Sequence, residues 1–259
     1  MPKIFCLILL VSISHFASAQ KNKKQRQAEK RALINDMIKQ EEEGVIIYTT
    51  SFAAGGKLAS DGYGIFFELG KARSVKQSVL FQLDISEKKH IKEDKQSNPF
   101  INSIPFIYGK QNFFYPVKIG VQNQLLIGNK SNKNGVSVTA NFGGGLSLGL
   151  LRPYYLQVQK GNDLSYVKYN SPDSFLFLNG PVYGGPTFGR GWSEMTITPG
   201  VYGKTAFRFD YGAYNEIISA IEVGLTGEYY TKKIPILIGV DQKQFFFSAY
   251  AAIIFGKRS

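Results

Sequence analysis

Beyond Gly44, apolar and polar residues alternate with a period of two, most clearly between residues 135 and 150. The even positions of this segment are apolar, whereas the odd positions are small or polar. The apolar residues are Val136, Val138, Ala140, Phe142, Leu146, Leu148 and Leu150. The small or polar residues are Ser137, Thr139, Asn141, Gly143, Gly145, Ser147 and Gly149. Because successive side chains of a strand point to opposite faces, the segment predicts a β-strand with one apolar face and one crowded, polar face.

The same alternation recurs along the rest of the chain. It is strong in residues 201–211, 217–229 and 244–255, and it is less regular in residues 45–58, 62–71, 75–86 and 113–127. Together these segments predict about eight antiparallel strands.

The predicted connections between the strands alternate in length. Short turns fall near residues 72–74, 129–134 and 212–214, whereas long connections fall near residues 87–112, 159–195 and 231–243. The connection at Ser60-Asp61 lies on the same rim as the long connections but is short. Short turns on one rim and long loops on the other are typical of outer-membrane barrels. Residues 44–259 are therefore predicted to form an all-β, transmembrane, antiparallel up-and-down β-barrel of about eight strands.

The first residues carry the pattern of an export signal. Met1 to Lys3 give a positive start, and the apolar run Ile4 to Ile13 is too short to span a bilayer as a helix. Ala17-Ser18-Ala19 then fits a signal-peptidase site, which predicts a signal peptide of residues 1–19 cleaved after Ala19. Residues 20–43 are rich in Lys, Arg and Glu, and they predict a charged periplasmic arm that is either a short helix or a flexible linker.

Composition restricts the classes of partner and cofactor. The single cysteine, Cys6, lies inside the signal, so the mature chain offers no thiol for a disulfide, a metal or a lipid anchor. The formal net charge of +12 would suit nucleic acid, but export argues against that partner. We expect contacts with outer-membrane lipid and lipopolysaccharide instead, although solvated lysines on loops explain the same charge. Other envelope proteins are further candidate partners, and no cofactor is expected.

The predicted inward positions include ten charged residues of balanced sign. They are Lys57, Lys76, Lys118, Lys204 and Arg208, and Glu68, Asp84, Asp210, Glu222 and Glu228. An eight-stranded barrel is just wide enough for side chains to fill it. Since buried charges are tolerated only when they are paired, the balance predicts a self-neutralising plug rather than an aqueous pore.

A hairpin that turns about Ala213 would fix the pairing of two of these groups. It would place Lys204 directly opposite Glu222, and Asp210 directly opposite Glu216. The first pair would attract and the second would repel, so this register is a hypothesis.

Aromatic residues cluster at the predicted strand ends and in one long connection. The first set predicts girdles at the membrane interface, and it comprises Phe113 to Tyr115, Tyr154 and Tyr155, Tyr229 and Tyr230, and Phe245 to Phe247. The connection 159–195 combines aromatic residues with Gly and Pro. It is interpreted either as a recognition surface or as a lid over the barrel mouth.

Catalytic patterns are weak. Ser147 lies in a G-x-S-x-G motif, but it falls in the middle of a predicted strand, where that motif carries no chemistry. His90 is the only histidine of the mature chain, and it lies in a lysine-rich loop that disfavours a metal ion. Ser86 and His90 are the only candidates for a serine–histidine pair at the rim. We therefore predict neither a zinc site nor an enzyme.

Three motifs carry a resemblance to a known family. They are Gly55-Gly56-Lys57-Leu58 followed by Asp61-Gly62-Tyr63-Gly64, then Tyr108 to Phe113, and then Gly143 to Tyr155. With them the chain resembles the small outer-membrane β-barrel proteins of the Bacteroidetes type, many of which have no assigned activity. The resemblance implies fold and location, and it carries over no catalytic residue.

The function hypothesis that follows is a non-enzymatic one. We expect an accessory or scaffold subunit of an envelope assembly or secretion complex. The alternative is a stand-alone structural protein of the envelope. A narrow channel and a lipid-modifying enzyme follow, in that order.

Overall fold

The computed structural model describes residues 25–33, 35–36, 48–98, 103–130, 135–169, 172–212 and 216–259. It divides the chain into two units, Met1–Tyr48 and Thr49–Ser259. In the first unit, residues 25–33 and 35–36 are helical and exposed. The predicted signal peptide and residues 20–24, 34 and 37–43 of the predicted arm lie outside the described residues. Within the described ranges, no helix has the length and apolar character needed to cross a membrane.

In the second unit, eight antiparallel strands close into a barrel. They are β1 (Thr50–Ala59), β2 (Gly62–Ser74), β3 (Gln77–Lys88), β4 (Asn112–Gly128), β5 (Ser137–Pro153), β6 (Thr196–Asp210), β7 (Ile217–Ile234) and β8 (Lys243–Arg258). Each strand pairs with its neighbours in the chain, and β8 pairs with β1 to complete the ring. The predicted eight-stranded, up-and-down barrel is therefore confirmed.

The predicted alternation of faces is confirmed in all four of the regular segments. On β5, Leu146 is 68% exposed on the outer wall, whereas the neighbouring Ser147 is fully buried in the lumen. The outer wall of β6, β7 and β8 is likewise apolar. Its exposed side chains there are Ile197, Val201, Phe207, Phe209, Ile217, Ile221, Val223, Leu225, Tyr229, Phe245, Phe247, Ile253 and Phe255.

Two predictions about the short turns were wrong. The β2–β3 turn lies at residues 75–76, beyond the predicted 72–74, and it leaves Lys76 exposed rather than inward. Val75, in the turn itself, is the one apolar residue between Arg73 and Ser78, so the alternation did not mark where the strand ends.

The predicted register of the β6–β7 hairpin was also wrong. Arg208, rather than Lys204, lies opposite Glu222, and Asp210 lies opposite Ala220 rather than Glu216. The partner of Lys204 is thus displaced by four residues along β7. Because a displacement by an even number keeps every side chain on its face, the alternation could not distinguish the two registers. Residues 213–215 of the turn lie outside the described residues.

The long connections fold into a structure of their own, which we call the cap. It contains a strand pair (Lys95–Gln96 and Phe106–Ile107), a three-stranded sheet (Tyr155–Lys160, Asp163–Lys168 and Val182–Gly184), a short helix (Ser174–Asn179) and a 3-10 turn (Trp192–Glu194). The cap has an apolar core formed by Phe106, Ile107, Tyr154, Leu156, Val158, Val167, Phe177 and Leu237. These residues come from all three long connections, so the three connections form one packed body.

Candidate functional site

Nine of the ten predicted lumen charges lie in the barrel interior, and each is at most 8% exposed. They are Lys57, Glu68, Asp84, Lys118, Lys204, Arg208, Asp210, Glu222 and Glu228. Lys76 is the exception, because it lies in the exposed turn described above. The barrel therefore brings together side chains that are up to 171 positions apart in the chain, as Lys57 and Glu228 are.

Glu222 is the centre of the lumen network. Its Oε2 accepts hydrogen bonds from Arg208 Nη2 (2.6 Å), Arg208 Nε (2.9 Å) and Asn141 Nδ2 (3.0 Å). Its Oε1 accepts one from the Tyr250 hydroxyl (2.6 Å) and lies 2.8 Å from Lys204 Nζ. The predicted contact between Lys204 and Glu222 is therefore present, although the two residues are not directly opposite. The long side chain of Lys204 reaches along the strand to the carboxylate.

Two further carboxylates continue the network on either side of Glu222. Glu68 accepts a hydrogen bond from Arg208 Nη2 (2.7 Å), so this guanidinium bridges two buried carboxylates. Toward the rim that carries Thr50 and Ser259, Asp210 pairs with Arg258 Nη2 (2.6 Å) and accepts the N–H of Gly212 (2.9 Å). Bridging by Arg is expected, since its planar fork of donors can serve two acceptors at once.

A second cluster lies between Glu222 and the cap. Glu228 accepts hydrogen bonds from Lys118 Nζ (2.7 Å) and the Tyr230 hydroxyl (2.8 Å). Asp84 pairs with Lys57 Nζ (2.5 Å) and lies 3.6 Å from Lys118 Nζ. Lys57, Lys118 and Tyr230 are thereby linked through two buried carboxylates.

Lys88 is a member of this cluster that the sequence did not reveal. It is buried, and its Nζ lies 2.7 Å from Asp61 and 3.2 Å from Glu228. The sequence predicted that Lys88 lies in a surface loop. This was wrong because β3 extends two residues further than predicted. The signal was present nonetheless, since Asp84, Ser86 and Lys88 share the inward parity of one strand.

The lumen is closed at this level by paired charge and by aromatic rings. Five cations (Lys57, Lys88, Lys118, Lys204 and Arg208) meet five carboxylates (Asp61, Glu68, Asp84, Glu222 and Glu228). The cavity between Lys57, Lys88 and Glu228 measures about 10 Å³, which is room for about one water molecule. At this level, the described side chains hold the barrel together and leave little more than the room for one water molecule.

Three inward rings lie directly above the charged cluster. Phe114 lies 5.3 Å from Tyr230 and 5.3 Å from Phe246, measured between ring centroids. All three had been predicted to belong to interfacial girdles, and for these three the prediction was wrong. Adjacent residues of a strand must face opposite sides, so only one of Tyr229 and Tyr230, for example, can reach the outer surface.

Arg152 attaches the cap to the barrel wall. Its buried guanidinium lies 4.1 Å from the ring centroid of Phe113 and 4.6 Å from that of Trp192. It also donates a hydrogen bond to the carbonyl of Phe188 (3.0 Å). Cation–π contacts of this kind are strengthened by burial. The arrangement supports the lid interpretation of the connection 159–195, since the cap is anchored rather than free.

A buried ion pair fixes the connection between β3 and β4 within the cap. Lys110 Nζ lies 2.6 Å from the Glu93 carboxylate, and the Lys110 side chain is almost fully buried. Burial lowers the pKa of Lys110, and the charge of Glu93 opposes that effect. The cap therefore contains both an apolar core and a buried, paired charge.

We expect the cap to open when its core is truncated, while the barrel remains folded. Phe177 is fully buried in the cap core, and a Phe177→Ala substitution should cost the cap about 3–5 kcal/mol. Limited proteolysis should then cut the cap at least tenfold faster, with unchanged heat-modifiable migration of the barrel. Phe175→Ala is the matched control, because Phe175 is 76% exposed on the same helix. Equal cleavage of the two variants would contradict a packed cap.

The candidate catalytic residues are occupied by structural contacts. Ser147 is buried in mid-strand, 2.8 Å from the Tyr230 hydroxyl. Ser86 donates to the carbonyl of Pro116 (3.5 Å), whereas His90 Nδ1 accepts the N–H of Lys92 (3.2 Å). Partial burial, followed by the charge of Lys243, lowers the pKa of His90. Among the described residues, no three His, Cys, Asp or Glu side chains form a group that could hold a metal ion.

The fold is similar to that of solved bacterial surface barrels, at low identity. No protein-family model and no curated protein matches the chain. The N-terminal β-barrel domain of Pseudomonas aeruginosa OprF is 10% identical, with a TM-score of 0.36 over 80% of this chain and 96% of that chain. Neisserial surface protein A is 11% identical, with a TM-score of 0.38 over 81% and 96%. Ail of Yersinia pestis, solved with the heparin analogue sucrose octasulfate, is 9% identical, with a TM-score of 0.34 over 82% and 97%.

Proposed function

We propose that this protein is an outer-membrane β-barrel of the Bacteroidetes type, and that it serves as a non-enzymatic accessory or scaffold subunit of an envelope assembly or secretion complex. The observation that carries the proposal is the combination of a lumen closed by paired charge with a folded cap. A barrel whose lumen is filled by paired side chains offers its surfaces, rather than a pore, for function. The largest structured surface outside the wall is the cap.

The dimensions of the outer wall support a membrane location. On β8 the outward side chains are apolar or small from Phe245 to Phe255. Ten residues at ~3.4 Å each, tilted by ~40°, cover roughly 26 Å along the membrane normal. This matches the apolar band of about 25 Å that is typical of such barrels.

The ends of this apolar band support contacts with lipid. On β2 the outward row runs through Ile65, Phe67 and Leu69 and then continues with the exposed cations Lys71 and Arg73. Cations at this level would meet lipid phosphates. With the export signal of residues 1–19, the charged arm 20–43 would lie in the periplasm and the cap at the cell surface. Lipopolysaccharide would then surround the wall below the cap.

The experiment is a pull-down from the native outer membrane in mild detergent, followed by mass spectrometry. The tag belongs in the N-terminal arm, because Ser259 accepts the N–H of Thr50 (2.9 Å) and a C-terminal tag would disturb that contact. We expect a stoichiometric complex with other envelope proteins. The Phe177→Ala variant should recover less of it, and Phe175→Ala should recover it unchanged. Recovery of the barrel alone would contradict the proposal.

The second candidate is a stand-alone structural protein of the envelope. It is favoured by one observation, namely that the five buried cations and five carboxylates of the two lumen clusters pair among themselves and need no partner to neutralise them. A monomer that is recovered alone, and whose loss weakens the envelope against detergent, would favour this role.

A further inference from the structure

Strand β8 extends beyond its neighbour on one side. Its pairing with β1 ends at Ala59, opposite Tyr250, and the last hydrogen bond runs from the N–H of Ser60 to the carbonyl of Ala249 (2.8 Å). Above this point, β8 pairs only with β7. The wall therefore has a gap, which we call the notch. The free edge of residues 243–248 borders it, and Ser60 and Asp61 form its floor.

Backbone hydrogen-bonding groups of β8 face into the notch. Since the carbonyl of Ala249 points toward β1, the N–H and C=O groups of Phe247 and Phe245 point to the same side. Across the described ranges, no backbone or side-chain group hydrogen-bonds to them. Their side chains lie on the outer wall, where Phe245 is 57% exposed and Phe247 is 61% exposed.

An unpaired strand edge of this kind is unusual in a closed barrel. Backbone groups that meet lipid must be paired, and proteins protect exposed edges with charges, prolines, bulges or a covering strand. Charges lie at both ends of this edge: Lys88 and Asp61 contact Ser248 at one end, and Lys243 lies at the other. Among the described residues, no strand covers the backbone beside Phe245 and Phe247. An extended strand is the one covering that satisfies the backbone groups themselves.

We propose that the notch binds an extended segment of another envelope protein, which adds to the barrel as a strand antiparallel to β8 and in line with β1. The edge offers about six residues, or roughly 20 Å. The inference rests on the proposed accessory role and adds a docking site on the barrel wall to the surface that the cap provides. The bound segment would place apolar side chains beside Phe245 and Phe247. It would place an acidic side chain near Lys243 and polar side chains near Ser248. Ser248 already contacts Lys88 (2.9 Å) and Asp61 (2.7 Å) there.

Photo-cross-linking in the native membrane tests the location. Benzoylphenylalanine replaces Phe247, and in the matched control it replaces Phe207, which is similarly exposed on the outer wall of a strand paired on both sides. We expect a protein adduct from position 247 at a yield at least tenfold above that from position 207. Equal yields, lipid adducts alone, or an adduct with a second copy of the barrel would overturn the proposal.

Proline tests whether the backbone makes the contact. In the probe-bearing chain, Phe245→Pro removes an N–H that faces the notch and spares the bonds to β7, whereas Phe245→Ala removes only the ring. We expect Phe245→Pro to lower the adduct yield at least tenfold, and Phe245→Ala to change it less than twofold. Similar yields would overturn strand addition. Heat-modifiable migration verifies that both variants fold.

A second measurement covers the case in which the proline variant does not fold. The amide protons of Phe245 and Phe247 should exchange at least tenfold more slowly in the isolated complex than in the purified barrel, and equal rates would overturn the inference. Different results would reject the accessory role and the notch as a docking site. A pull-down that recovers a complex without any adduct at position 247 would reject the notch alone, whereas an empty pull-down would reject the accessory role.

Discussion

Replacing Glu222 by glutamine is expected to lower the free energy of unfolding by about 3–5 kcal/mol, because it removes the charge that neutralises a buried lysine and a buried arginine. Arg208 and Lys204 both contact the Glu222 carboxylate, at 2.6 Å and 2.8 Å. The amide retains the size of the side chain, so the change isolates the charge. Urea unfolding of the barrel in lipid vesicles measures the effect as a lower midpoint.

Glu216→Gln is the matched control for this measurement. Glu216 is exposed, just before β7, and its side chain forms no ion pair within the described residues. Its substitution should change the free energy of unfolding by no more than about 0.5 kcal/mol. If the two variants unfold at the same urea concentration, the lumen network does not stabilise the barrel in the manner inferred from the distances.

Replacing Gly145 by valine is expected to prevent folding of the barrel. Gly145 lies opposite Gly120 on β4 and Tyr202 on β6, and a Cβ at residue 145 would lie 2.5 Å from the Cα of Gly120. Backbone cannot give way as a flexible side chain can, so the overlap separates β4 from β5. The measurement is the fraction of heat-modifiable, folded protein after refolding, which should fall at least tenfold.

Gly203→Val provides the comparison on the same wall. Gly203 faces outward on β6, and the nearest atom to its added Cβ is the Gly143 carbonyl oxygen at 4.0 Å. This variant should fold to within about twofold of the unsubstituted protein. Loss of folding in both variants would show that strand propensity, rather than the close approach at Gly145, sets the requirement for glycine.

The faces of the strands were predictable, but their registers were not. Alternation fixes which side chains enter the lumen, and it placed Glu222 and Arg208 there correctly. It cannot fix the residue that lies opposite each of them, because a displacement of the partner by an even number preserves every face. The turn of β6–β7 carries no Asn-Gly or similar signal that would have decided between registers. The inward position predicted for Lys76 was wrong for a related reason, because the residues around it do not mark the end of the strand.

A lid was one interpretation of residues 159–195, but the packing of three connections into one cap could not be predicted, for a different physical reason. Its core joins Phe106, Phe177 and Leu237 from three separate connections, and the segments between them follow no sustained period. Hydrophobic periodicity reports only on the local backbone. Contacts between loops far apart in the chain depend on the barrel, which holds the loop ends together. Lys88 was missed for another reason, because β3 continues to Lys88, two residues beyond its predicted end.

Single-channel recording in planar bilayers is the most direct test of a barrel closed by paired charge. Purified, heat-modifiable protein is inserted at known density and held at both polarities. The paired charges and the rings of Phe114, Tyr230 and Phe246 predict a flat baseline with no stepwise openings. Stable, reproducible openings from the same preparation would contradict the closed lumen, and they would place a narrow channel ahead of an accessory subunit.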